Sequence, residues 1–176
     1  MEINNYIREQ LQHAIHGSEQ VFLVGGAIRD SFLGLKRKDM DFICTGDTRE
    51  IARRFADRVG GNFYPLDKTR DIYRVLTTPG DEIPGVFDFA KIRGDSIEED
   101  LQKRDFTINA MAINPFHPDS LLDPFHGVQD LQLKRLVPVS RECLSDDPVR
   151  LIRALRYSAG YGLSISREFS NMLKTS

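Results

Sequence analysis

Residues 21–41 read VFLVGGAIRDSFLGLKRKDMD. A short apolar run of strand type, Val21 to Val24, meets the double glycine Gly25-Gly26. A helix follows to Leu33, with Gly34 as its C-terminal stop, and a second strand opens at Asp39. Asp39 and Asp41 are two apart, so on a strand they share a face, with alpha-carbons roughly 7 Å apart. Two carboxylates that close repel each other unless a cation lies between them. Magnesium takes one or two carboxylates together with phosphate oxygens. The glycine turn upstream offers backbone N–H groups to an anion at a helix start. The spacing therefore predicts a phosphate cradle and a metal seat joined by one helix, a site for chemistry on a nucleoside triphosphate.

The rest of the chain supplies candidates for the same site. Asp88 lies in VFDFAKI, where alternation places Phe87 and Phe89 on one face and the acid on the other. An acid within an apolar strand needs a partner. If its strand neighbours that of Asp39 and Asp41, three carboxylates converge. Two could bridge two magnesium ions in a two-metal mechanism, and the third could take a proton from an attacking hydroxyl or complete the metal shell. Arg29 sits one helical turn beyond Gly26, in reach of a phosphate, and Asp30 either starts the helix or orients Arg29. The turn is neither a GxGxxG fingerprint nor a P-loop. Arg104, Asp105 and Asn109 form a dense polar cluster, which fits either a capped loop or a contact with triphosphate and ribose. Asp147 fits an N-cap, and Arg150, Arg153 and Arg156 fit a solvated face. Asp147 and Arg150 are also one turn apart, so they could converge on a base. A carboxylate accepting an exocyclic amino group beside a guanidinium donating to a ring nitrogen would accept C and A and reject U and G.

Between these points the periodicity predicts a helix over 3–15 and a capped helix from Asp47 to Val59, ending at Gly60-Gly61. Strands are predicted over 62–66, 72–77 and 86–92, separated by turns that include Pro79-Gly80 and Pro84-Gly85. Ser96 caps a short acidic helix, and residues 105–114 make a helical turn leading to a strand from Ala110. Residues 115–145 read as loop-rich, with turn and cap signals at Asp123-Pro124, Gly127 and Asp130. Asp147-Pro148 begins a helix that runs to about Ala159, its apolar side Val149, Ile152, Leu155 and Ala159. Ser166 caps a last helix.

The 176 residues are 40% apolar, enough for a compact domain with a core, and carry a net charge of −2. No global basicity advertises nucleic acid. Residues 1–100 carry 14 basic and 18 acidic side chains and residues 101–176 carry 10 and 8, an imbalance that would suit a polyanion approaching a metal site. Cys44 and Cys143 have no CxxC spacing and read as reduced thiols of a cytoplasmic protein. The start, MEINNYIREQ, is polar, and no apolar run reaches the length of a membrane span, so no membrane partner is expected.

Four blocks, LVGGAIRDSFLG…KDMDF, DLQKRDFTINAMAINP, DPFHGVQDL and DDPVRLIRALRY, together resemble the class II tRNA nucleotidyltransferase and bacterial poly(A) polymerase family. The resemblance implies an α+β fold: a polymerase-beta-like head, with a mixed sheet of about five strands flanked by helices, over residues 1–140. The start of a helical neck follows over 141–176, and a helical body and tail that hold tRNA would lie beyond. It implies that Asp39 and Asp41 bind magnesium, that Asp88 stands where a third acid is common, and that Gly25, Gly26 and Arg29 form the phosphate turn. Arg104 and Asp105 match the ribose and triphosphate motif, Asp147 and Arg150 the base-reading pair, and Arg153 a support for the nucleotide. Lys103 stands where the family often has arginine, and Asp146 where it often has glutamate. The implied partners are CTP, ATP and the 3′ end of tRNA or another RNA. The implied activity is CCA addition, with poly(A) synthesis or an A-only or CC-only reaction as alternatives and a binding module without turnover as the non-enzymatic one.

Overall fold

The computed structural model describes residues 3–35, 39–78, 85–145, 147, 149–165 and 169–170. The turn signals at 79–84, together with Asp146, Pro148 and Ser166, lie outside the described residues. The chain divides into two compact units, Met1–Ile92 with Ala112–Leu121, and Arg93–Met111 with Leu122–Ser176.

The first unit is built on a mixed sheet. Its strands are β1 (Val21–Val24), β2 (Asp39–Cys44), β3 (Asn62–Asp67), β4 (Ile72–Leu76), β5 (Val86–Lys91), β6 (Ala112–Ile113) and β7 (Leu121–Leu122). Their order is β3-β4-β5-β2-β1-β6-β7. The sheet has seven strands where about five were expected, because the two-residue β6 and β7 extend one edge. β2 and β5 run parallel, and the meander β3-β4-β5 and the β1–β2 and β1–β6 pairs are antiparallel.

Alternation decides which face is covered. Met40, Phe42, Tyr73, Val75, Phe87 and Phe89 are buried. Phe55, from α3 (Thr48–Val59), packs against Phe87 and Phe89 at centroid distances of 5.0 and 5.2 Å, and Phe42 stacks on Phe89 at 5.2 Å. The helix α1 (Asn5–Ala14) buries Ile7, Leu11 and Ala14. Two α3 arginines tie the helices together: Arg54 Nε donates to the Ala14 carbonyl at 2.6 Å and Arg58 Nε to Gln10 Oε1 at 2.9 Å. The short helix α2 (Gly26–Phe32) lies between β1 and β2 in sequence.

The second unit holds α4 (Ile97–Gln102), a single 3₁₀ turn Thr107–Asn109, α5 (Gly127–Gln132), α6 (Glu142–Ser145) and α7 (Val149–Tyr161), with β8 (Arg135–Leu136) paired parallel to β9 (Ser164–Ile165). Phe106, Tyr157 and Phe169 gather at its centre, with centroids 5.8 and 5.7 Å from Phe106. The segment that read as loop-rich thus carries α5, α6, β7 and β8, elements too short to show a period. On α7 the apolar side read from the sequence is exposed: Val149, Ile152 and Leu155 are 57, 68 and 65% exposed. Ala154 and Tyr157 are the buried positions. The reason is polar: the guanidinium groups of Arg150 and Arg153 turn toward main-chain and carboxylate acceptors within this unit. Among the described residues no helix is long and apolar enough to cross a membrane.

Gly127 opens α5 where the chain passes the backbone of the 3₁₀ turn, and a Cβ there would overlap the Thr107 carbonyl. Gly127→Ala should cost about 2 kcal/mol of stability through this overpacking. Urea denaturation measures it, and an unchanged midpoint would contradict the close approach.

Candidate active site

In the first unit the site follows from register. Asp39 and Asp41 are exposed on β2 while Met40 and Phe42 between and beyond them are buried. Asp41 pairs with Asp88 of β5, Asp88 with Arg74 of β4, and Arg74 with Tyr64 of β3. Directly paired residues share a face of the sheet, so the polar side chains form one cross-strand row. Within it Arg74 grips Asp88 through both oxygens, Nε donating to Oδ1 at 2.7 Å and Nη2 to Oδ2 at 2.6 Å. That bond, opposed by partial burial and aided by the charges of Asp88 and Tyr64, holds the guanidinium above its ordinary pKa. The three acids expected to converge lie on one face of the sheet. Among the described residues, however, no three His, Cys, Asp or Glu side chains gather into a ready-made metal cage. Asp39 and Asp41 are exposed at alternate positions of β2. Two hard oxygen donors fit magnesium, which seldom takes an all-protein cage.

The glycine turn leads from β1 into α2. Gly25 adopts φ 68° and ψ −127°, a conformation open to glycine and costly for other residues. Arg29 is buried, and its Nε and Nη2 lie 2.8 and 2.7 Å from Asp30 Oδ1. A Cβ on Gly26 would come within 3.3 Å of Arg29 Nη2, so the guanidinium lies over the turn. Of the two roles open for Asp30, orientation of Arg29 is the one this geometry displays.

The second unit fixes the other candidates around two buried acids. Asp100 is 1% exposed and accepts from the main-chain N–H and Nε of Arg93, at 3.0 and 3.1 Å, and from Nε and Nη2 of Arg104, at 3.2 and 3.1 Å. Burial works against its ionisation, yet hydrogen bonds from Arg93 and the charges of Arg104 and Arg93 hold its carboxyl below the ordinary value. Asp105 accepts from the Phe106 N–H at 2.8 Å, Asn109 Nδ2 at 3.1 Å and Arg153 Nε at 2.7 Å. Burial would lower the Arg153 pKa, but the Asp105 carboxylate raises it. Arg150 donates to the carbonyls of Cys143 and Lys103, both at 2.9 Å. Asp147 Oδ1 accepts from the Val149 N–H at 3.0 Å, the capping role open to it in the sequence. Arg156 is exposed and lies 5.3 Å over the Tyr157 ring. Asp130 holds Thr107 Oγ1 at 2.8 Å and Arg135 Nη2 at 2.8 Å, so the DPFHGVQDL block braces the Arg104–Asn109 segment.

Arg104, Asp105, Asn109, Arg150 and Arg153 are therefore joined within one unit, and Asp39, Asp41 and Asp88 within the other. Sequence reasoning missed Arg74, Tyr64, Arg93, Asp100 and Asp130. The i,i+4 spacing of Asp100 and Arg104 was a usable signal. Nothing local marked Arg74, whose partner is set by strand register.

The class of protein follows from an α+β head that presents paired carboxylates on one sheet face behind a glycine turn. The chain belongs to the poly(A) polymerase head-domain family: the model described as "Poly A polymerase head domain" matches residues 21–137. It is 41% identical over 157 residues to a CC-adding tRNA nucleotidyltransferase of Synechocystis sp., covering 88% of this chain and 36% of that protein. It is 37% identical over 160 residues to a multifunctional CCA protein of Laribacter hongkongensis, covering 88% and 39%. A solved CCA-adding enzyme in complex with ATP superposes with a TM-score of 0.86 at 30% identity, over 97% of this chain and 41% of that one. The chain spans less than half the length of these relatives.

Asp100→Asn should lose about 2 kcal/mol at pH 7 by removing a buried, charge-assisted partner of two arginines. Because the folded carboxyl ionises below its unfolded value of 3.8, this stability is present above that pH and fades as pH falls through the lower folded value. Urea titrations at pH 7 and pH 3 should show a gap between wild type and variant that narrows in acid. Equal stability at pH 7 would contradict the role.

Proposed function

We propose that the chain is the catalytic head of a template-independent nucleotidyltransferase that adds C, A or both to the 3′ end of tRNA, from CTP and ATP with release of pyrophosphate. The observation that carries this is the exposed Asp39/Asp41 pair on β2, in a chain whose family match spans residues 21–137. Asp39 and Asp41 would hold magnesium, with Asp88 the third acid of the row. The metal's contribution when bound is to lower the pKa of the attacking 3′-hydroxyl and offset charge on the triphosphate.

The chain's own residues do the positioning. The Gly25-Gly26 turn, with Arg29 held over it by Asp30, and Arg104, held by Asp100, bind the triphosphate. Asp105 and Asn109 meet the ribose. Asp147 and Arg150 read the pairing edge of C or A, with Arg153 and Arg156 supporting the nucleotide. Arg150 already spends three contacts on carbonyls, at 2.9, 2.9 and 3.5 Å, which fix its plane. A guanidinium has five donors, so donors remain for a base. Most of the catalysis comes from such positioning and from preset charge. Residues 1–140 form the head in this account and 141–176 the start of the neck. The two free cysteines, both buried, suit a reducing cytoplasm.

The head-domain description of the family supports poly(A) synthesis as a second reading, while the CC-adding and multifunctional CCA relatives favour tRNA. Primer extension with one nucleotide at a time separates them, on tRNA lacking CCA, tRNA ending in CC and an unrelated oligoribonucleotide. Addition of C and A to tRNA, stopping at CCA, is the expected result, and A-only or CC-only addition narrows it. Long A tails on any RNA would establish the second reading. Nucleotide binding with no addition to any primer would make the chain a binding module. Arg150→Ala should lower discrimination of CTP and ATP against UTP and GTP by about tenfold, the scale of one lost hydrogen bond to a charged group. Unchanged selectivity in that variant would end the base-reading role.

A further inference from the structure

Every polar group of Arg93 is bound to the C-terminal turn of α4. Its main-chain N–H and Nε donate to Asp100 Oδ1 at 3.0 and 3.1 Å. Nη2 donates to the Asp100 carbonyl at 3.2 Å and to Oδ2 at 3.4 Å, and Nη1 to the Lys103 carbonyl at 3.5 Å. In return Lys103 Nζ donates to the Arg93 carbonyl at 2.9 Å. Residues 93 and 103 are thus clasped in both directions. Gly94 leaves room for the clasp: at φ 117° a Cβ there would come within 3.1 Å of Lys103 Nζ and would overlap Glu99. The last carbonyls of a helix lack intrahelical donors, and the C-terminal end of its dipole favours cations. α4 carries no basic residue in its last turn. Arg93 supplies a cation from outside the helix, and Arg150 supplies a second from α7. Arg150 Nη2 donates to the same Lys103 carbonyl at 2.9 Å, and Nη1 to the Arg104 carbonyl at 3.5 Å. A carbonyl oxygen has two lone pairs, so the Lys103 oxygen can hold both guanidinium groups.

We propose that Arg93 is a positioning residue for base selection: it fixes the Lys103 carbonyl on which Arg150 rests, and through it the plane in which Arg150 meets a base. This rests on the proposal that Arg150 reads the base. Asp100 holds Arg93 and Arg104 with one carboxylate, and the Lys103 carbonyl holds Arg93 and Arg150. Arg93 therefore stands between the arginine assigned to the triphosphate and the one assigned to the base. Its removal leaves Arg104 both of its bonds to Asp100 but opens the clasp with Lys103. The Lys103 peptide is then free to rock, and Arg150 moves with it. A hydrogen bond weakens steeply as its angle closes, so a guanidinium selects between bases only while its plane is held. A helix cap without this role would support stability and overall affinity, and would not affect which base is preferred.

The test is equilibrium binding of radiolabelled CTP, ATP, UTP and GTP, with magnesium, to the whole chain in wild type, Arg93→Gln, Arg93→Lys, Arg150→Ala and the Arg93→Gln/Arg150→Ala double variant. The readout is the ratio of affinities for CTP and ATP over those for UTP and GTP. Contacts with the triphosphate are common to all four nucleotides and cancel in this ratio, so any change at Arg104 drops out. Arg93→Gln should lower the ratio about fivefold, the scale of one hydrogen bond. Arg93→Lys keeps a cation against Asp100 and so guards the fold. Its ammonium lacks the fork that spans Asp100 and the Lys103 carbonyl, and its ratio should fall as far. The double variant should lose no more than Arg150→Ala alone, because both changes act through one side chain. A folded Arg93 variant with the wild-type ratio, even one that binds all four nucleotides more weakly, would leave Arg93 a helix cap only and overturn the proposal. A double variant that loses the product of the two single effects would overturn it too. Arg150→Ala separates the underlying reading: an unchanged ratio there, or a wild type without preference, would remove base reading itself, whatever the Arg93 variants do.

Discussion

Parallel pairing of β2 with β5, in the register that sets Asp41 opposite Asp88, is the constraint from which the first unit's chemistry follows. The same register sets Met40 against Phe87 and Phe42 against Phe89. One face therefore closes over an aromatic core with Phe55, and the other is left to acids and arginine. A slip of one residue would exchange the faces, burying carboxylates and exposing phenylalanines. Core packing thus protects the geometry of the acid row at no separate cost, because the hydrophobic effect that orders the sheet also selects the acids' direction.

The second unit solves a different problem, which is to hold several arginines in fixed directions. Long cationic side chains lose considerable rotamer freedom when they are ordered. Here two buried acids absorb that cost beforehand: Asp100 fixes Arg93 and Arg104, and Asp105 fixes Arg153. Arg150 is fixed by main-chain carbonyls instead. Groups already oriented before a polyanion arrives bind it without further reorganisation, which is the physical content of preorganisation. The same inward turn of Arg150 and Arg153 leaves Val149, Ile152 and Leu155 of α7 exposed.

Much of the first unit is legible in the chain because its elements are long enough to show a period or are bounded by strong turn residues. Val21 to Val24, the alternation from Asp39 to Cys44 and the capped helix after Asp47 are of this kind, and all appear where the pattern places them. The acid pair is legible for the same reason, since aspartates two apart in a strand have few structural uses. The partner of Asp88 was not, because cross-strand register is a tertiary fact that no local spacing encodes. The elements between residues 115 and 145 escaped because they are two to six residues long. On α7 periodicity separated an apolar from a polar side, and the apolar residues Val149, Ile152 and Leu155 are the exposed ones. Hydrophobicity alone cannot weigh a leucine's burial against an arginine with buried acceptors waiting for it.

The central claim is that Asp39 and Asp41 seat the metal that meets an incoming nucleotide. Crystals soaked with Mn²⁺ and CTP would locate the ion by its anomalous signal. The account predicts density at about 2.2 Å from oxygens of both Asp39 and Asp41 and from triphosphate oxygens, a little beyond the magnesium distance. Bound CTP with the ion elsewhere, or with neither carboxylate coordinating it, would contradict it.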